Sequence, residues 1–164
     1  MPEEEYINQN EHIQLGIPII DEQHANLIRI AGNLQFMCQK VAETTNYRFS
    51  QAIFEALEYA KYHFNLEEKL MMLLDYPDFS GHKKEHSDFI SEILGHSKHF
   101  QDEEASDPAR LEDLHTTTDF VGKWIQSHIN SLDRSFADYF FSLNHHGKLR
   151  MSLAGKPELA SRLA

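Results

Sequence analysis

The residues best suited to chemistry in this chain are histidines and carboxylates. Eleven histidines stand against 15 lysines plus arginines, and the single cysteine is Cys38. A histidine excess with one thiol points to imidazole and carboxylate metal chemistry, not to a thiolate site or a disulfide framework. Spacing groups these residues. His63 and Glu67 are four apart, as are His82 and His86, and residues four apart share a helix face. Each pair can therefore meet one metal centre. His24, His128 and Asp133 must be brought to the same level by the fold.

The elements that do so read as helices. Gly and Pro are scarce, 7 and 5 in 164 residues, so the chain is expected to form long helices with short joints. Residues 1–18 form an acidic, irregular arm ending at Gly16-Ile17-Pro18. A first helix fits about 19–42, with Ile20, Leu27, Ile30, Ala31, Leu34 and Met37 at helical spacing. Thr44-Thr45-Asn46 marks a break. A second helix fits about 49–74 through Phe49, Ile53, Ala56, Leu57, Ala60, Phe64 and Met71, and Asp75-Tyr76-Pro77 stops it. A third runs from Ser80-Gly81 to about Glu104, with Phe89, Ile93 and Leu94 as its core face. Asp107 as N-cap and Pro108 in the first helical position open a fourth. It reaches about Phe141 through Leu111, Leu114, Phe120, Val121, Trp124, Ile125, Ile129, Leu132 and Phe136.

The expected fold is all-α: an up-down-up-down four-helix bundle over 19–141. The N-terminal arm precedes it, and a C-terminal tail, 142–164, follows. The tail carries Lys148, Arg150, Lys156 and Arg162 against Glu158.

At about 1.5 Å of rise per residue, His24 and His63 lie level across the first joint, and His86 and His128 across the third. The second joint matches loosely, His63 and Glu67 being one to two turns out of step with His82 and His86. His128 and Asp133 are five apart, about 140° around an α-helix, so Asp133 is expected to reach in from the side.

The set contains five imidazoles and two carboxylates. If two irons share both carboxylates and one oxo or hydroxo bridge, each has three shared oxygens. Five histidines then divide three and two, leaving one iron with six ligands and the other with five and an open position. Such a donor set suits non-haem iron, and on chemistry alone it also suits manganese or zinc.

The same residues fall in four motifs, Ile20-Asp21-Glu22-Gln23-His24, His63-Phe64-Asn65-Leu66-Glu67-Glu68, His82-Lys83-Lys84-Glu85-His86-Ser87-Asp88-Phe89, and Trp124 through Asp133. In order and spacing they resemble those of the bacterial hemerythrins, over about residues 13–141. The resemblance implies a dioxygen-binding protein (a carrier, store or sensor), not an enzyme. It implies His82, His86 and His128 as terminal ligands of the saturated iron, and His24 and His63 as those of the open one. Glu67 and Asp133 would bridge. Dioxygen would bind at the open iron, taking two electrons from the pair and a proton from the bridging hydroxide. Leu27, Phe64, Phe89, Trp124 and Ile125 are candidates for an apolar pocket around it. Two features depart from the family pattern. Asn8-Gln9-Asn10-Glu11 lacks the usual aromatic residue, and the interval from His86 to His128 is long, which extends the third and fourth helices.

Rival readings explain fewer residues. His82-Lys83-Lys84-Glu85-His86 fits the H-x-x-E-H pattern of inverted zinc proteases, with Glu85 as general base. That reading leaves His24, His63, Glu67, His128 and Asp133 without a role. A ferritin-like oxidase or ferroxidase needs two Glu-x-x-His pairs, and this chain has one, Glu112 to His115. His12, His96, His99, His115, His145 and His146 match no ligand position and are expected at the surface. Glu68 lies about 100° from Glu67 and is expected to be solvated or to support a ligand. Cys38 is expected to be a small buried apolar residue.

Bulk properties set the remaining bounds. A chain of 164 residues suits one domain, and 41% hydrophobic with 25% charged residues suits a globular one. The net charge of −11 argues against nucleic acid or an anionic membrane surface as the main partner. No apolar run approaches the ~18 residues of a membrane span. Met1-Pro2-Glu3-Glu4-Glu5 has neither the basic nor the apolar region of a signal peptide, so a cytoplasmic location is expected. Any signalling role would need a separate protein partner.

Overall fold

The computed structural model describes residues 13–40, 46–99 and 108–145. Its elements are α1 (Pro18–Gln39), α2 (Asn46–Leu73), α3 (Phe79–His99), α4 (Pro108–His128), a π-helical turn (Ile129–Asp133) and α5 (Arg134–His145). His128 and Arg134, which flank the π turn, both keep right-handed helical dihedrals, so α4, the turn and α5 form one continuous fourth helix. No strand occurs among the described residues.

Local chemistry sets where each helix starts and stops. Pro18 opens α1 in the first turn, where its missing N–H is no loss. Ile17 cannot cap with its side chain. Instead the Asp21 carboxylate accepts the N–H groups of Leu15 (2.7 Å) and Gly16 (2.9 Å), tying the arm to the first turn. Gly16 has φ 87°, and a Cβ there would stand 3.2 Å from the Phe141 ring. Ile13, Leu15 and Ile17 of the arm are buried.

Three boundaries differ from the sequence reading. α1 ends at Gln39, not near 42, because Lys40 leaves helical dihedrals and turns its N–H to the carbonyls of Phe36 and Met37. The β-branched Val41, Thr44 and Thr45 that follow favour helix poorly. α2 begins at Asn46, ahead of 49, and ends at Leu73. Asp75 takes a left-handed φ of 54°. The N–H of Tyr76 returns to the Met71 carbonyl and that of Asp75 to Met72, a Schellman closure with aspartate in the usual place of glycine. The Tyr139 hydroxyl donates to the carbonyls of Leu74 (2.8 Å) and Asp75 (3.1 Å), completing that helix end. The expected end of the third helix near Glu104, the Asp107 cap, residues 1–12 of the arm and residues 146–164 of the tail lie outside the described residues.

α1 packs on α2, α2 on α3 and α3 on α4, and α4 closes the ring on α1. Contacts between neighbours run in opposite residue order. Gln23 meets His63 and Asn26 meets Tyr59. Glu67 meets His82 and Phe64 meets Phe89. His82 meets His128 and Phe89 meets Trp124. His24 meets Asp133 and Cys38 meets His115.

The core runs the length of the bundle. Ile20, Leu34, Leu70, Met71, Ile129 and Phe136 are almost wholly buried, as is Cys38. Leu94 is not a core residue: it is 44% exposed. It follows the buried Ile93 by one position, about 100° around the helix, which turns it away from the interior. No helix among the described residues is long and apolar enough to cross a membrane.

Candidate metal centre

The structure brings all seven proposed ligands into the bundle interior, each at most 5% exposed. They form two groups sharing two carboxylates. His82, His86 and His128 converge with Glu67 and Asp133. His24 and His63 converge with the same Glu67 and Asp133. The imidazoles therefore divide three and two.

The spacing fits a metal. His128 Nε2 lies 3.0 Å from His86 Nε2 and 3.1 Å from His82 Nε2. A metal about 2.1 Å from each imidazole nitrogen, with ligands at right angles, sets neighbouring nitrogens about 3.0 Å apart. Asp133 Oδ1 is 3.1 Å from both His82 Nε2 and His128 Nε2, and its Oδ2 is 3.1 Å from His24 Nε2. Glu67 Oε2 lies 3.4 Å from His63 Nε2 and from His86 Nε2, and its Oε1 lies 3.7 Å from His24 Nε2. Despite these approaches, both oxygens of Glu67, both oxygens of Asp133 and both ring nitrogens of His24 lack a hydrogen bond among the described residues. Buried ionised groups are retained when they are paired or hold a metal, and orphaned atoms aimed at common points answer to the second case.

Each helix contributes by position. Glu67 comes level with His82 and His86 because α3 starts at Phe79, directly after a short joint, while His63 pairs across to α1. The looseness expected at the second joint disappears once Glu67 alone is matched across it. The π turn handles Asp133. Its Arg134 N–H bonds the Ile129 carbonyl five residues back, so His128 and Asp133, also five apart, share one face. The expectation that Asp133 reaches in from the side is therefore corrected.

Supporting contacts orient the rings. His63 Nδ1–H donates to Gln23 Oε1 at 3.0 Å. His86 Nδ1–H donates to Glu68 Oε1 at 3.2 Å, and Lys83 pairs with the other Glu68 oxygen at 3.0 Å. Fixing the Nδ1 proton leaves each Nε2 lone pair facing the centre. Gln23 was missed by sequence reasoning. The available signal was a polar residue adjacent to His24, on the side of α1 that packs on α2.

The electrostatics of the metal-free site balance internally. Burial opposes a charge on His24 and His82, but the carboxylates of Asp133 and Glu67 outweigh it and push both pKa values up to about 9. Burial dominates at His63 and lowers it to about 4. Burial alone would raise Glu67 and Asp133. The imidazoles of His63, His24, His82 and His86 overcome this at Glu67, and those of His128, His24 and His82 at Asp133, holding both below the usual carboxylate range.

The five apolar candidates divide into two kinds. Leu27, Phe89 and Ile125, with Ala60, help line an apolar cavity of about 10 Å³, one helical turn from the ligands. Phe64 and Trp124 act as braces instead. Phe64 stacks on His86 at 3.8 Å and 9°, and Trp124 on His128 at 4.2 Å and 15°. Rival motifs fare differently. Glu85 is exposed, outside the cluster. Glu112 and His115 are exposed, and His115 Nδ1 contacts Cys38 Sγ at 3.2 Å. His96 is partly buried and contacts the Thr117 hydroxyl at 3.0 Å, so it is not a purely surface residue.

Known proteins resemble this chain in sequence. A sequence model of the hemerythrin HHE cation binding domain matches residues 15–139. Bacteriohemerythrin of Stenotrophomonas maltophilia (strain R551-3) is 31% identical over 129 residues, covering 77% of this chain and 76% of the relative. That of Clostridium acetobutylicum is 29% identical over 129 residues, covering 78% and 96%. That of Pseudomonas aeruginosa (strain LESB58) is 26% identical over 127 residues, covering 77% and 76%. The family match spans all seven clustered residues and most of the chain, and the protein belongs to the hemerythrin HHE cation binding family.

Proposed function

We propose that this protein holds two non-haem irons and binds dioxygen reversibly at one of them, as a carrier, store or sensor. The observation that carries this reading is the division of five imidazoles three and two around two shared, buried carboxylates. Glu67 and Asp133 would be shared by both metals. With one solvent-derived oxygen also shared, His82, His86 and His128 would complete six ligands on one metal, and His24 and His63 would give the other five, leaving one position open.

The bound iron pair supplies the electrons that dioxygen accepts. The chain's own residues govern access and order. Gln23 and Glu68 fix the rings of His63 and His86, while Phe64 and Trp124 hold the planes of His86 and His128. Leu27, Phe89 and Ile125 keep the neighbouring layer apolar, which excludes water and protons from the open side. The role is binding rather than turnover. A histidine-rich set stabilises the reduced pair, and the lone Glu-x-x-His segment stands apart from the cluster.

Iron analysis with visible spectroscopy through cycles of air and argon tests the reading. Two irons per chain and a colour that appears in air and fades under argon are expected. One zinc per chain, or irreversible bleaching with turnover of a substrate, would overturn it.

A further inference from the structure

The two ligand groups differ in what stands behind their imidazoles. In the three-histidine group, His86 Nδ1–H donates to a carboxylate, Glu68, at 3.2 Å. In the two-histidine group, His63 Nδ1–H donates to the neutral amide of Gln23 at 3.0 Å. Gln23 is 5% exposed. Nδ1 of His24 and of His82 has no hydrogen-bond partner among the described residues. One anionic and one neutral support thus stand on opposite sides of the shared carboxylates.

A carboxylate that accepts from Nδ1–H draws the proton toward itself and leaves negative charge on the ring. Delocalisation carries that charge to Nε2 and makes it the stronger donor. A stronger donor favours ferric over ferrous iron. An amide oxygen has the same geometry and a much weaker effect. Lys83, 3.0 Å from Glu68, works against the carboxylate by stabilising its charge where it lies.

We propose that Glu68 and Gln23 add to the electronic inequality that the ligand count already gives the two irons. Glu68 biases the three-histidine iron toward the ferric state, and Gln23 leaves the two-histidine iron easier to return to ferrous. When dioxygen leaves, its two electrons return to the pair, one to each iron. The neutral support therefore stands on the side where the ligand must be released intact. Both are positioning residues, acting through His86 and His63. The inference rests on the di-iron reading above.

The test uses the full-length chain loaded with iron-57, followed by metal analysis, Mössbauer spectroscopy of the reduced state and a redox titration. Wild type is expected to show two unequal quadrupole doublets. Glu68→Gln is expected to alter one doublet and lower the ferric preference about tenfold, about 59 mV upward for a one-electron step. Gln23→Glu is expected to alter the other doublet and shift the potential downward. Lys83→Met, at a half-exposed position, is expected to shift it downward too, opposite to Glu68→Gln. A purely structural contact would move Glu68→Gln and Lys83→Met the same way.

Matching doublets and potentials in all iron-loaded variants would overturn the inference while leaving the di-iron reading standing. If Glu68→Gln fails to fold or load, Lys83→Met decides: a downward shift supports the inference and no shift overturns it. A wild type with fewer than two irons overturns both.

Discussion

His128 Nε2 lies 3.1 Å from Asp133 Oδ1, although their separation of five would place them about 140° apart on an α-helix. The π turn removes that angle. It also disturbs the carbonyl ladder, and three polar side chains bond back to carbonyls four residues earlier: Asn130 to Gln126 (2.9 Å), Ser131 to Ser127 (2.6 Å) and Ser135 to Ser131 (2.8 Å). Deleting Ser131 would convert the turn to regular α-helix and leave His128 and Asp133 four apart, again on one face. The deletion variant should therefore keep a helical circular-dichroism spectrum and still bind two irons per chain. Loss of iron loading would show that the π turn does more than absorb the extra residue between the two ligands.

The pH dependence of the metal-free protein follows from its imidazoles. His24 and His82 are raised to about 9, so each contributes stability that is complete below about 6.5 and lost as pH rises toward 9. His63 is lowered to about 4, so its contribution is present above about 6.5 and lost on acidification. Glu67 and Asp133 are depressed and also lose their contribution in acid. Metal-free protein should therefore be most stable near pH 6.5 and melt progressively lower up to pH 9. Iron-loaded protein, whose ligands are already deprotonated, should not decline over that upper window. Thermal melts of both forms from pH 6 to 9 check this, and parallel curves would contradict it.

Uptake of iron at pH 7 should release protons from His24 and His82, the two imidazoles whose pKa values stand near 9. Calorimetry of ferrous iron binding in buffers of different ionisation enthalpy reads that number directly. A release that His24→Ala leaves unchanged would show that this imidazole is neutral before binding.

Two substitutions probe the packing around the second joint. Phe136 is wholly buried and meets Tyr76 edge-on at 5.2 Å, so Phe136→Ala should cost about 3–5 kcal/mol. Tyr139→Phe removes only the hydroxyl that bonds the carbonyls of Leu74 and Asp75, just past the end of α2, and should cost about 1 kcal/mol. Chemical denaturation of the metal-free forms measures both. Equal losses would mean that the hydroxyl, not the ring packing, dominates this end.

Ile125 lines both the inner apolar cavity and an outer groove of about 270 Å³ between α1 and α4. It is thus the side chain between groove water and the ligand layer. Ile125→Asn should speed oxidation of the oxygenated protein to its inactive ferric form, with iron content unchanged. An unaltered decay of the visible band would remove Ile125 from that role.

Much of this was legible from spacing alone. The i, i+4 pairs His63/Glu67 and His82/His86 fixed two faces, and the apolar periodicity of Ile20 to Leu34 and Phe49 to Met71 placed the helices beneath them. What the pattern missed was local backbone chemistry. The π turn depends on one extra residue between His128 and Asp133, which a fixed 3.6-residue period reads as a displaced ligand. Asp75 ends α2 through left-handed dihedrals more typical of glycine. Leu94 followed the right composition one position off the right face. Gln23 and the stacked Phe64 and Trp124 act through partners on other helices, which no single-segment pattern contains.

The central claim is one open iron position per pair of metals, set by three imidazoles on one side and two on the other. Anaerobic titration of the fully reduced, iron-loaded protein with dioxygen measures this most directly. The account predicts one dioxygen taken up per two irons, and its recovery on purging with argon. Uptake of one dioxygen per iron, or consumption of dioxygen with none recovered, would contradict it.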